Sequence, residues 1–170
     1  LDDHGVTIDV VPAHKVDFSD VEVLDGYLVP GFVNAHCHLE LSHLKNKIEK
    51  HTGLVDFVLS VQAHRNASEE EMQEAMLAAE LEMKKDGIVA VGDISNTAIS
   101  FNIKSQQNLY YHTFLEGLSF SAVRAEAVID SMLSLKNLAQ EKGLKASISP
   151  HAPYSVSREL FKMISELNER

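Results

Sequence analysis

Four short apolar runs, near residues 31–36, 88–93, 109–116 and 144–149, alternate with stretches patterned as helices. No other feature of the chain limits its fold as strongly. Parallel strands need long crossovers between them, and interposed helices supply those crossovers. The run Ile88-Val89-Ala90-Val91-Gly92-Asp93 is nearly unbroken, as in a strand buried on both faces of a parallel sheet. The chain therefore reads as α/β, a parallel sheet with right-handed crossovers.

The helical stretches carry their own signals. Val55 to Val61 has an apolar face at helical spacing. Ser68 and Glu71 form a capping box for a helix reaching about Lys85, and Asp86-Gly87 stops it. Met72, Met76, Ala79 and Met83 fall on one stripe of that helix and read as core packing. A short helix is expected over 97–107 and a longer stretch from Phe120 to Lys142. The longer one turns Ala127, Val128, Met132, Leu135 and Leu138 inward, with Lys142-Gly143 as its stop. Ser157 is an N-cap for a final helix running to Arg170.

Residues 1–29 read differently, as short β segments. Val6, Ile8 and Val10 alternate, then Val21, Val23 and Tyr27-Leu28-Val29 follow, with breaks at Pro12 and Asp25-Gly26. His4 and His14 read as exposed turn residues. A net charge of -10 argues against nucleic-acid and anionic-membrane partners, which would repel the chain. No apolar run approaches the ~20 residues of a membrane span, and no signal-peptide pattern is read. A single cysteine excludes an internal disulfide and fits a reducing cytoplasm.

The chemistry concentrates in Leu28-Val29-Pro30-Gly31-Phe32-Val33-Asn34-Ala35-His36-Cys37-His38-Leu39-Glu40. A Pro-Gly turn launches an apolar strand that ends in two histidines one residue apart. Positions i and i+2 of a strand share a face, so His36 and His38 project together while Cys37 points away. Two such imidazoles can chelate one divalent metal, although they supply only two of the usual three or four ligands. The alternative is a pair of partly buried histidines that pack or hydrogen-bond.

The string PGFVNAHCHLE resembles the first barrel strand of the amidohydrolase superfamily, in its branch acting on purine- and nucleoside-type amines. A second string, Pro150-His151-Ala152-Pro153-Tyr154-Ser155-Val156-Ser157, resembles the motif that follows strand four in that branch. The resemblance implies the first half, about four β/α units, of a TIM (β/α)8 barrel over residues 30–170. Residues 1–29 would then be strands of a small flanking β-sandwich. A whole barrel needs about 250 residues, and a chain with no initial methionine that ends on a charged helix is expected to be part of something longer.

The resemblance further implies one divalent metal, zinc or alternatively iron, with His36 and His38 as two of its ligands. Glu116 and His151 would bind substrate, while the remaining ligands and the catalytic groups would lie beyond residue 170. The implied reaction is hydrolytic deamination of a small molecule of aminofutalosine, guanine or adenosyl type. Some relatives that act on nucleoside thioethers carry an arginine where this chain has Glu116, which argues against a carboxylate-bearing amino-acid substrate. Two other readings stand beside this one: hydrolysis of a non-nucleoside C–N or C–Cl bond, and a non-catalytic half-barrel scaffold. A half-barrel with open edges is expected to self-associate or to bind its missing half. Nucleic-acid base editors are set aside, because their zinc site needs a Cys-x-x-Cys pair that one cysteine cannot supply.

Three positions keep more than one reading. Glu40 and His43 follow the histidine strand and either face substrate or are solvated. Asp93 either caps the next helix or supports the metal ligands. Glu116 also has a plainer role available, a salt bridge across the barrel mouth.

Overall fold

A computed structural model of the chain describes residues 2, 4–17, 19 and 21–168. They fall into two units, Leu1–Pro30 and Gly31–Arg170.

In the first unit a 3-10 turn spans Ala13–Lys15, and Asp2 accepts hydrogen bonds from the His4 and Val6 amides. His4 and His14 are exposed, as expected. No strand forms among the described residues of this unit, whose alternation reads as short β segments. The physical reason is that a strand is stabilised by a partner that takes up its N–H and C=O groups. Val6, Ile8, Val10, Tyr27 and Leu28 are exposed instead.

The second unit is built on a parallel sheet of four strands in the order β1-β2-β3-β4. These are β1 (Phe32–Cys37), β2 (Ile88–Ser95), β3 (Tyr110–Gly117) and β4 (Lys145–Pro150), each within one or two residues of its sequence-based position. Between β1 and β2 come a 3-10 turn (Leu39–Leu44), α1 (Leu54–His64) and α2 (Glu69–Lys85). A short α3 (Phe101–Lys104), α4 (Ala125–Glu141) and α5 (Arg158–Asn168) follow β2, β3 and β4 respectively. The expected half-barrel order of strand and helix is thus present.

The sheet's two faces differ. Val91, Asp93 and Ser95 of β2, with Tyr111, Thr113 and Leu115 of β3, point toward the helices and are buried. Met76 of α2 and Ile103 of α3 pack with Leu39, Val91, Leu109 and Tyr111 in one core. Leu115 and Ile148 pack with Ile129 and Met132 of α4 and Leu160 and Ile164 of α5 in the other. On the opposite face Ala90, Gly92 and Ile94 are only half-buried, so β2 is not covered on both sides as its apolar run suggested.

The local signals mostly hold. Ser68 Oγ accepts from the Glu71 amide at 3.1 Å, and Ser157 Oγ accepts from Leu160 at 3.1 Å. Gly87 ends α2 at φ +80°, a backbone state that strains any residue with a Cβ. The methionine stripe of α2 packs into the first core. Two expectations fail. The helix expected over 97–107 shortens to α3, and α1, despite its helical spacing, has no buried residue.

Gly92 answers to a close approach of strands. A Cβ there would meet the Ala35 carbonyl oxygen at 2.9 Å and Phe114 Cε2 at 3.2 Å. Gly92→Ala therefore pushes β1 and β2 apart one residue below His36. Overpacking of this kind costs about 1–3 kcal/mol, to be read as a lower urea midpoint at unchanged slope. A midpoint equal to wild type would show that the strands absorb the methyl.

Candidate active site

The C-terminal ends of all four strands lie along one edge of the parallel sheet, and the predicted site residues gather there. β1 pairs with β2 as far as Cys37 opposite Asp93, with a register shift between Asn34 and Cys37. Beyond that point the chain leaves the ladder, with His38 at φ −123° and ψ 75°. The ring centroids of His36 and His38 are 5.2 Å apart at 64°. A metal held at 2.0–2.1 Å by a ring nitrogen lies roughly 3 Å from the ring centroid, so two rings sharing a cation tetrahedrally come about 5 Å apart. The spacing of the two rings fits a shared cation.

Burial pushes the His38 imidazole below its ordinary value, and the neighbouring His36 and His151 add to the shift while Glu116 and Asp93 oppose it. A neutral imidazole is the form that binds a metal. The same neighbours place His38 within electrostatic range of both Glu116 and His151.

Strand pairing explains the approach of Glu116 to His151. Glu116 of β3 lies opposite Ser149 of β4, and Gly117 lies opposite Pro150. The His151 amide then donates to the Gly117 carbonyl at 3.1 Å. The two following loops stay together through a Ser119–Val156 bridge and a 2.7 Å bond from the Ser157 amide to the Ser119 carbonyl. His151 Nδ1 comes within 2.9 Å of Glu116 Oε1, close enough for an ion pair but not aligned as a hydrogen bond. Glu116 is buried and His151 half-buried. The arrangement offers a carboxylate and an imidazole beside the histidine pair. Among the described residues, no three His, Cys, Asp or Glu side chains converge as a complete metal site.

The turn after β1 differs from expectation. Glu40 and His43 are buried rather than solvated. Glu40 accepts from the Asn96 and Thr97 amides, each at 3.1 Å, and from Thr97 Oγ1 at 3.0 Å. Burial still pushes its carboxyl above the usual range, with those hydrogen bonds pulling the other way. Asn96 Nδ2 in turn donates to the Glu116 carbonyl at 3.2 Å, linking this turn to the end of β3. His43 Nε2 lies 3.1 Å from the Arg65 carbonyl, which ties the turn to the end of α1.

Asp93 does not cap α3, whose N-cap is Ser100. It faces the helices and pairs with Lys104, both without side-chain exposure. Lys104 had no forewarning beyond its place three residues after the buried Phe101, on the inward side of a helical turn. Cys37 points to this same helix-side interior, away from the histidines. Burial and the Asp93 carboxylate push its thiol up to about 12, with Lys104 partly opposing. The thiolate is the reactive form, and only part of its loss is offset by higher intrinsic nucleophilicity. At pH 8, Cys37 should therefore react with iodoacetamide roughly 50-fold more slowly than a free thiol of ordinary pKa. The rate should still be rising above pH 10. Labelling at the rate of free cysteine would place the thiol in solvent.

The amidohydrolase family profile matches residues 27–170. The chain is 30% identical over 179 residues to an adenosine deaminase of Helicobacter pylori, covering 98% of itself and 43% of that protein. It superposes on the crystal structure of Helicobacter pylori aminofutalosine deaminase in complex with methylthio-coformycin with a TM-score of 0.69 and 32% identity. That match covers 82% of this chain and 34% of the other. Guanine deaminase from C. acetobutylicum with bound guanine shares the fold, with a TM-score of 0.67 at 16% identity over 83% of this chain and 37% of that one. The chain spans less than half the length of each of these proteins.

Proposed function

The chain belongs to the amidohydrolase family, and from that premise we propose that it is the first half of a hydrolase that deaminates a purine- or nucleoside-type amine. The observation that carries this reading is the proximity of two motifs far apart in sequence. His38, beside His36, lies within electrostatic range of the Glu116–His151 pair at the C-terminal edge of a parallel sheet, the edge where (β/α)8 enzymes build their sites. Relatives with about one third identical residues are named as adenosine and aminofutalosine deaminases.

His36 and His38 would hold one divalent cation. Imidazole donors suit zinc or iron, and zinc is our assignment. Such a cation supplies Lewis acidity that brings the pKa of water toward about 7. Glu116 and His151 would touch the substrate, giving its ring a carboxylate and an imidazole to hydrogen-bond. Hydrolytic deamination exchanges the amine for oxygen: water adds at the carbon, the C–N bond breaks, and ammonia leaves.

Two protein ligands hold zinc weakly, since catalytic sites use at least three. We therefore expect the 170-residue chain by itself to show no turnover. β4 pairs only with β3, and β1 only with β2, among the described residues. Those open edges favour self-association or docking of the remaining barrel. The alternating apolar residues of 1–29 would form sandwich strands only with partners from outside this segment. The compartment we assign is the cytoplasm.

The test is ammonia release by the whole zinc-loaded protein from aminofutalosine, adenosine, methylthioadenosine and guanine. Release from at least one, lost with a chelator and restored by zinc, is the expected result. No release from any purine-type amine, with metal bound in equal amount to protein, would overturn the reading.

A further inference from the structure

Where β1 ends, a buried network takes over from the ladder. Asp93 Oδ1 accepts the Leu39 amide at 2.7 Å, one residue beyond His38. Its other oxygen accepts from Ser95 Oγ at 3.2 Å and lies 2.5 Å from Lys104 Nζ. Lys104 Nζ also donates to Ser95 Oγ at 2.9 Å and Thr113 Oγ1 at 3.2 Å, so each of its three protons has an acceptor. It lies over the rings of Phe101 and Tyr111, 5.6 and 5.9 Å from their centroids. Asp93, Ser95, Lys104 and Thr113 are all at most 1% exposed.

A hydrophobic cluster of the same volume would serve stability as well as a buried ion pair does. The pair's geometry points to a role besides stability. Most of the network's hydrogen bonds join neighbouring parts of β2, α3 and β3. One of them reaches out of that group to the Leu39 amide. The next residue, Glu40, is tied to the loop after β2 by three hydrogen bonds of its own. The chain beyond His38 is thus held by side chains at the point where strand pairing ceases to hold it.

We propose that Asp93, set by Lys104, is a positioning residue that fixes the backbone after His38 and so aims its imidazole at the cation shared with His36. This rests on the metal reading above and adds to it a part that does not touch the metal. The effect is one of aim. With Leu39 free, the His38 ring can rotate away from His36, and one ligand becomes intermittent. Outer residues that orient metal ligands typically change metal affinity about 10–100-fold.

Two double variants of the whole protein separate the hydrogen bond from the charge. D93N/K104M retains an amide oxygen for Leu39 and leaves no unpaired buried charge. D93L/K104M is equally charge-free and similar in shape but offers no acceptor. Cobalt(II) serves as the probe, followed by chelator competition and by its ligand-field absorption. The expected result is affinity within about threefold of wild type for D93N/K104M, and a loss of about 10–100-fold with an altered spectrum for D93L/K104M. Amide exchange at Leu39, measured without metal, should be slow in wild type and at least about tenfold faster in D93L/K104M. If D93L/K104M does not fold, D93E, which keeps the charge pair but shifts the oxygen by a methylene, should lower affinity in the same direction. Wild-type affinity and spectrum in both the acceptor-free and the shifted variants, or a fast-exchanging Leu39 amide in wild type, would overturn the proposal. His38→Ala is the separate control: undiminished cobalt binding there would overturn the metal reading itself, whatever Asp93 does.

Discussion

Alanine at both His36 and His38 is expected, on the proposed metal reading, to strip the whole protein of divalent metal and to lower kcat/KM by at least about 10⁴. The magnitude follows from the acidity that would be lost, since a bound cation moves the pKa of water from 15.7 to about 7. Even a small part of that shift expressed in the rate covers four decades, or about 5.4 kcal/mol of transition-state stabilisation. The fold should survive, because His36 is exposed and His38 half-buried, and neither is part of the two buried cores. Metal content by elemental analysis and ammonia release from the purine-type amines of the proposed assay check the two halves of the prediction. A double variant that keeps its metal, or that loses metal and keeps its rate, would remove these histidines from the chemistry.

Lys104→Met is expected to give the largest loss of stability, about 3–5 kcal/mol, because it leaves the Asp93 carboxylate buried without its counter-ion. The pair is 2.5 Å apart and shielded from water, so solvent cannot replace the missing ammonium. The partner change Asp93→Asn strands Lys104 in the same way. The two together should cost far less than the sum of the singles, since D93N/K104M leaves no unpaired charge. Urea unfolding of the three variants completes a double-mutant cycle. Additive losses would show that the two side chains act independently and that the network does not work as a unit.

That network also shows where sequence reading stops. The motif strings around His36 and His151 are local, and a strand's alternation leads to the expectation that His36 and His38 share a side. Nothing local says that Glu116 will stand 2.9 Å from His151. That closeness needs β3 and β4 to pair in the register that sets Glu116 opposite Ser149. Glu40 and His43 were open to a solvated reading because turn residues usually are, and only the packing of the turn buries them. Asp93, at a strand end before a helix, has the look of a cap. Its actual partner, the Leu39 amide, is 54 residues away.

The sequence by itself determined the order of strands and helices, the caps at Ser68 and Ser157, and the stop at Gly87. These depend on side-chain spacing and on what a single residue's backbone can adopt. It also determined the family, through two short strings whose residue types the chemistry needs. Tertiary structure decided which side chains meet at the strand ends, which of them are buried, and that Lys104 is buried against Asp93 rather than exposed. Among the described residues of 1–29 no strand forms, since an alternating segment becomes a strand only when a partner takes up its hydrogen bonds. Through-space pairing between distant segments depends on how strands register and helices pack, and no local pattern carries that information.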